Sequence, residues 1–287
     1  MPDLVTEPAA PAGGGGLVRL RLDISYAGTD FSGWAAQPGR RTVQGVLTEA
    51  LRTVLRVPDL RLVVAGRTDA GVHASGQVAH LDVPAEAWLA QADRILRRLA
   101  GVLPPDVRVT GAGPASPDFD ARFGALWRRY SYRISDARSG PDPLRRLDTV
   151  GWPQPLDDTS MRRAAEQLVG LQDFAAFCRR REGASTIRVL QRLDVVRSGE
   201  LIELTVQADA FCHSMVRSLV GALAMVGAGL RPVHWPADLL TLNRRADQVA
   251  VAPPHGLNLI AVGYPPDAEL AARASQTRAV RQPDALG

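Results

Sequence analysis

Residues 65–82 read AGRTDAGVHASGQVAHLD and set one acidic side chain, Asp69, among Gly66, Gly71 and Gly76, with Arg67 two positions before it. Upstream, Arg61-Leu62-Val63-Val64 is a short apolar run of strand character. Downstream, Gln77-Val78-Ala79-His80-Leu81-Asp82-Val83 alternates as a half-buried strand does. Asp69 is therefore expected on a loop between two strands. The glycines permit backbone angles that a β-carbon forbids, so the loop can turn tightly and admit a bulky substrate close to the main chain. A lone aspartate in a Gly-rich loop is by default a turn residue bonding its own backbone. The length of the surrounding motif is what makes this one a candidate for chemistry.

The rest of the chain supplies strands and amphipathic helices. Val18-Arg-Leu-Arg-Leu-Asp-Ile24 alternates with period two and leads into a Gly-rich, aromatic loop, Tyr26 to Trp34, that either meets a ligand or packs Phe31 and Trp34 inward. Thr42 can cap a helix with Val43, Val46, Leu47, Ala50, Leu51, Val54 and Leu55 on one side; another after Pro84 lines up Trp88, Ala92, Ile95, Leu96 and Leu99. With strands near 61–65, 77–83 and 106–111, the first half reads as helices laid on one face of a mainly antiparallel sheet. Gly111 to Pro117 looks like a connector. In the second half, Leu126 to Ile134 alternates so that Tyr130, Tyr132 and Ile134 share a face. Asp157 to Ser160 offers caps for a helix with Met161, Ala164, Ala165, Leu168 and Val169 inward and Gly170 as its stop. Ser198-Gly199 turns a hairpin between Leu193/Val195 and Ile202/Leu204/Val206. A helix from Cys212 to Ala228 and a strand around Leu257 to Val262 complete the unit.

Each half thus repeats strand, helix, strand, strand, helix. The expected fold is α+β: two related lobes, each a mainly antiparallel sheet with helices on one face, meeting at a cleft that holds Asp69. The expected boundaries are a disordered tail over 1–16, a first lobe over 17–116, a second over 117–265 and a loose tail over 266–287.

The net charge is +4, and all 34 basic residues are arginine. Arginine pairs bidentately with phosphates and stacks on bases, so the surface permits RNA binding without requiring it. No apolar run approaches the roughly 20 residues of a membrane helix, and no signal-peptide pattern opens the chain, so the cytoplasm is the expected address. Cys178 and Cys212 have neither a disulfide framework nor metal spacing around them and read as two core thiols. The histidines His73, His80, His213, His234 and His255 form no His-Glu-x-x-His run, and neither a GxGxxG nor a phosphate-loop lysine is present. No metal and no nucleotide cofactor is expected.

The stretch from Gly66 to His80 resembles the signature of the TruA-type tRNA pseudouridine synthases. Tyr26-Ala-Gly-Thr-Asp-Phe-Ser-Gly-Trp34, Arg41-Thr-Val-Gln-Gly45, Arg128-Arg-Tyr-Ser-Tyr132, Asp173-Phe-Ala-Ala-Phe177, Phe211 to Gly221 and Pro254-His-Gly-Leu257 resemble that family's further blocks, in its order. The resemblance implies the pseudouridine synthase fold and a metal-free isomerisation of uridine at positions 38 to 40 of the tRNA anticodon stem-loop, carried out by a homodimer. It implies Asp69 as the reacting carboxylate, Arg217 as its paired arginine and Tyr130 as the active-site tyrosine. Leu257 would pack beside the base and Arg67 would intercalate or pair with the backbone; Arg41, Gln44 and His73 complete the implied substrate contacts. Arg179-Arg180-Arg181 is the candidate phosphate grip. Two other readings remain open on the residues alone: a non-catalytic binder of structured RNA, and a nucleosidase that removes the base.

Overall fold

The computed structural model describes residues 16–179 and 185–278. In the first half the alternation from Val18 builds β1 (Leu17–Tyr26), with Leu20, Leu22, Ile24 and Tyr26 inward. Helix α1 (Val43–Leu55) starts where the Thr42 side chain accepts from the Gly45 N–H. There follow β2 (Val63–Val64), β3 (His73–Pro84), α2 (Ala85–Leu89), α3 (Ile95–Val102) and β4 (Val107–Pro114). The second half holds β5 (Trp127–Ser135), β6 (Val150–Gly151), α4 (Asp158–Glu166), β7 (Gly170–Asp173), β8 (Ile187–Ser198), β9 (Leu201–Ala208), α5 (Met215–Gly227), α6 (Trp235–Asp238), β10 (Leu257–Gly263) and α7 (Leu270–Arg278).

The sheets of the two halves are fused edge to edge into one ten-stranded sheet ordered β4-β1-β3-β10-β5-β9-β8-β7, with β2 on β3 and β6 on β5. Pairing is antiparallel within each half apart from β5–β6. The join is made by the last strand among the described residues: β10 lies antiparallel to β5 and runs parallel to the start of β3 through His73 and Ala74. Further along, that same edge of β3 pairs with β2, at Ala79 and His80. The loop that carries Asp69 leaves the sheet between those two partners. Buried apolar residues from both halves form one continuous core, with a small satellite around Ala65, Val78, Phe119, Ala121 and Leu270.

Five local expectations change. The helix expected after Pro84 is broken by a 3-10 turn over 92–94, because Gln91 and Arg94 leave helical angles; Trp88, Ile95 and Leu99 stay inward, but Leu96 is 38% exposed. Gly111 to Pro114 is not a connector but the end of β4: β1 is long enough to pair with it, and Gly111 fits where a β-carbon would meet Asp23 Oδ2 at 2.8 Å. Pro114 is tolerated there because β4 is an edge strand. Val169 falls beyond the end of α4 and is exposed. The segment expected as a loose tail is helical through Arg278, with Leu270 and Ala274 buried. Cys178 and Cys212 are disulfide-linked, with Cα atoms 5.7 Å apart. They meet because the chain after the 3-10 turn at 175–177 runs beside the approach to α5, where the Arg179 N–H donates to the His213 carbonyl at 3.0 Å.

Where β3 meets β10, a β-carbon on Gly76 would come within 2.1 Å of the Ile260 carbonyl oxygen. Backbone cannot yield as a side-chain tip can. Gly76→Ala is expected to lower unfolding free energy by about 1–3 kcal/mol, read by urea denaturation; an unchanged midpoint would show that the join does not require the glycine.

Candidate active site

The Asp69 loop is held by groups from both halves. At its root the Ala65 N–H donates to the Val78 carbonyl at 2.8 Å, and the Ala65 carbonyl accepts from Arg128 Nη2 at 2.8 Å. The Gly66 carbonyl accepts from Gln77 Nε2 at 2.8 Å. The Thr68 carbonyl accepts from the Trp34 N–H at 3.0 Å, and its hydroxyl lies 2.8 Å from that of Tyr26, which also accepts from Gln77 Nε2 at 3.3 Å. Burial pushes the Tyr26 hydroxyl pKa up to about 12, with its bonds to Thr68 and Gln77 pulling the other way. Gln77 is wholly buried. Its place is the gap on the β3 edge between β2 and β10, where an amide can serve groups the ladder leaves unpaired.

The aromatic loop from Tyr26 to Trp34 packs against this structure. Phe31 and Trp34 are buried, and the backbones approach so closely that a β-carbon on Gly28 would meet the Val72 carbonyl oxygen at 1.9 Å. Phe31 and Trp34 thus take the inward packing that the sequence allowed them.

Asp69 itself points away from this scaffold toward the second half. Its Oδ2 lies 3.7 Å from Arg217 Nη1 on α5, and its Oδ1 lies 3.3 Å from His213 Nε2. Arg217 is steadied by donation from Nε to the Ala252 carbonyl at 2.6 Å. Tyr130 on β5 is 8% exposed, and Phe211 packs edge-on to its ring with centroids 5.2 Å apart. Burial, then the nearby Tyr26, pushes the Tyr130 hydroxyl well above the usual phenol range; Asp69 pushes the same way and Arg128 opposes. No protein group among the described residues hydrogen-bonds that hydroxyl. The arrangement sets one carboxylate beside one guanidinium and one imidazole, with a phenol that makes no hydrogen bond to the described residues close enough to feel its charge.

The other expected site residues fall into two groups. Arg67 is exposed and makes no ion pair or hydrogen bond with the described residues, and Leu257 is buried at the start of β10 opposite Tyr132. Arg41, Gln44 and His73 each have partners within the protein. Arg41 pairs with both oxygens of Asp106 at 2.8 and 2.9 Å and lies over the Phe31 ring at 4.0 Å. Gln44 Oε1 accepts from the Ala36 N–H at 3.1 Å. His73 is buried; its Nδ1 accepts from the Gly28 N–H at 3.0 Å and its Nε2 donates to the Leu147 carbonyl at 2.7 Å, leaving no ring nitrogen for a substrate. Arg179 is exposed beside His213, while Arg180 and Arg181 lie outside the described residues. No three His, Cys, Asp or Glu side chains among the described residues are grouped to hold a metal ion, and no described helix is long and apolar enough to cross a membrane.

The residues not singled out from sequence are Thr68, Gln77, Arg128 and His213. Gln77 and His213 sat inside conspicuous motifs, but only the fold shows which way each side chain turns.

A family model described as tRNA pseudouridine synthase matches residues 164–265. A tRNA pseudouridine synthase A of Frankia casuarinae is 61% identical over 93% of this chain and 97% of its own. One of Streptomyces griseus is 56% identical over 93% and 95%, and one of Mycobacterium leprae 53% identical over 92% and 96%. Among solved structures a Cbf5-Nop10-Gar1 complex superimposes at a TM-score of 0.32 with 11% identity, over 72% of this chain and 54% of that one.

Tyr26→Phe removes the hydroxyl shared by Thr68 and Gln77 and leaves buried partners unsatisfied. It is expected to cost about 1–3 kcal/mol of stability, measured by urea unfolding, with a parallel loss of catalysis as the Asp69 loop loosens. Full activity and stability in that variant would mean the network is not what holds the loop.

Proposed function

Because the chain belongs to the tRNA pseudouridine synthase A family and isomerises uridine to pseudouridine in tRNA, we propose that Asp69 is the group that does the chemistry, with Arg217 and Tyr130 as its partners. The observation that carries this is the company Asp69 keeps: its loop is pinned by backbone and buried polar groups, and its carboxylate faces a guanidinium at 3.7 Å.

The reaction breaks C1′–N1 and makes C1′–C5; one proton leaves C5 and one arrives at N1, so no atom or electron is gained. An ionised carboxylate suffices as the reactive group, whether it attacks the base, attacks the ribose or takes a sugar proton. Arg217, 3.7 Å away, faces that carboxylate with a positive charge. Tyr130 offers a ring on which an extruded uracil can stack and a hydroxyl free to move the C5 proton. Leu257 packs beside the base, and exposed Arg67 enters the helix where the nucleotide leaves it. The substrate region is the anticodon stem-loop at positions 38 to 40, held across a cytoplasmic homodimer, with no metal or nucleotide cofactor.

Asp69→Asn or Asp69→Ala is expected to abolish pseudouridine formation while tRNA affinity falls less than about tenfold, since phosphate contacts dominate affinity. Carbodiimide mapping with tRNA mass checks this: product of unchanged mass marks isomerisation, whereas an alkali-labile strand of lower mass marks base removal. A variant turning over at a substantial fraction of the wild-type rate would remove Asp69 from the mechanism.

For Tyr130 the two functions separate. Under single-turnover conditions with saturating enzyme, Tyr130→Phe is expected to lose on the order of 10²-fold or more, nearly as much as Tyr130→Leu, because proton transfer needs the hydroxyl. A Phe variant within about threefold of wild type would leave only the stacking role, worth roughly 1–3 kcal/mol.

A further inference from the structure

A carboxylate has two oxygens, and Arg217 stands nearer to one. Its Nη1 lies 3.7 Å from Asp69 Oδ2, whereas Oδ1 is met by His213 Nε2 at 3.3 Å. Both side chains come from one short stretch. Ser214 turns left-handed at φ 66° just before α5, so His213 stands outside the helix and Arg217 in its first turns. That stretch is anchored at several points: Cys212 is linked to Cys178, the His213 carbonyl accepts from the Arg179 N–H at 3.0 Å, the Met215 N–H donates back to the Cys212 carbonyl at 3.1 Å, and Arg217 Nε donates to the Ala252 carbonyl at 2.6 Å. The His213 side chain is 46% exposed, so burial does not force its ring onto the acid. The anchored backbone delivers it there.

We infer that His213 is a positioning residue for the isomerisation: its Nε2, 3.3 Å from Asp69 Oδ1, and Arg217 Nη1, 3.7 Å from Oδ2, flank the carboxylate and fix its plane as both contacts close on substrate binding. The inference rests on Asp69 being the reacting group. The physical need is plain, because the terminal torsion of an aspartate is broad and a half-exposed carboxylate held on one side would sweep through it. A misplacement of about 1 Å at a reacting group can cost on the order of 10² in rate. Contacts of this kind are often long before substrate binds and tighten in the complex.

The experiment compares wild type, His213→Ala, His213→Gln and Asp69→Ala by single-turnover pseudouridine formation on tRNA, with the tRNA dissociation constant and melting temperature of each. The Gln amide can place an N–H near Oδ1; Ala cannot. The expected result is a rate about 10- to 100-fold lower for His213→Ala, with dissociation constant and melting temperature close to wild type and most of the rate recovered in His213→Gln. A His213→Ala rate within about twofold of wild type overturns the inference. So does a Gln variant as slow as Ala, or a rate loss matched by an equal loss of tRNA affinity, which would make His213 an RNA contact. Asp69→Ala keeps the two readings apart: if it still turns over, the assignment of Asp69 fails, and if it is inactive while His213→Ala is not, only the role of His213 fails.

Discussion

The structure depends on satisfying the backbone of a loop at the point where it leaves the sheet. Between β2 and β10 the edge of β3 has no strand beside it, and the carbonyls of Ala65, Gly66 and Thr68 would be buried without partners. An unsatisfied buried carbonyl costs about 1–3 kcal/mol, so three together would melt the loop. Arg128, Gln77 and the Trp34 N–H take one each. Arg128 is the most demanding member. Desolvation lowers its pKa, and it recovers through donation to the carbonyls of Ala65, Arg122 and Asp209. It belongs to β5 in the second half and Ala65 to the first, so the bond that secures the loop also ties the halves together.

The same dependence appears in the order of the strands. β10 is the last strand among the described residues, yet it lies in the middle of the sheet, between β3 and β5. Until it docks, Tyr130 and the Asp69 loop belong to separate half-sheets. Assembly of the site thus waits on contacts of very high sequence separation, the kind whose closure entropy slows folding. The benefit is geometric. Asp69 comes from one half, Arg217 and Tyr130 from the other, and the continuous sheet holds the distances between them.

What was legible in the sequence was local. The alternation in β1 and β9, the Thr42 cap and the inward stripe of α5 all follow from periods and caps that neighbouring residues set. Asp69, Tyr130 and Arg217 were legible through motifs, and they do converge. What escaped depends on partners distant in the chain. Gly111 to Pro114 carries turn chemistry yet extends a strand because β1 offers it an edge. Cys178 and Cys212 are 34 residues apart and meet only through the path of the chain before α5. His73 lies in the same motif as Asp69, but one strand residue faces the cleft loop and another the protein, and its ring is used up by Gly28 and Leu147.

The electrostatics of Tyr130 bear on the order of chemical events. Its hydroxyl is pushed up by burial, by Tyr26 and by the charge on Asp69, and drawn down by Arg128. In the free enzyme it is therefore a phenol, not a phenolate, and cannot take a proton as a ready-made base. On the proposed assignment of Asp69 as the reacting group, its contribution, the smallest of the four, is the one that the reaction alters. Whether the carboxylate becomes an ester to base or sugar, or accepts a sugar proton, its negative charge disappears from beside the ring. Burial and Tyr26 still act, but one repulsion is gone while the pull of Arg128 remains, so the phenol gives up its proton more easily after Asp69 has reacted than before. When the carboxylate is released, its charge returns and favours the neutral phenol again. On that assignment Tyr130 ionises somewhat more easily while Asp69 is occupied, but burial, the largest cause, is untouched by the reaction and keeps the hydroxyl a phenol by default throughout.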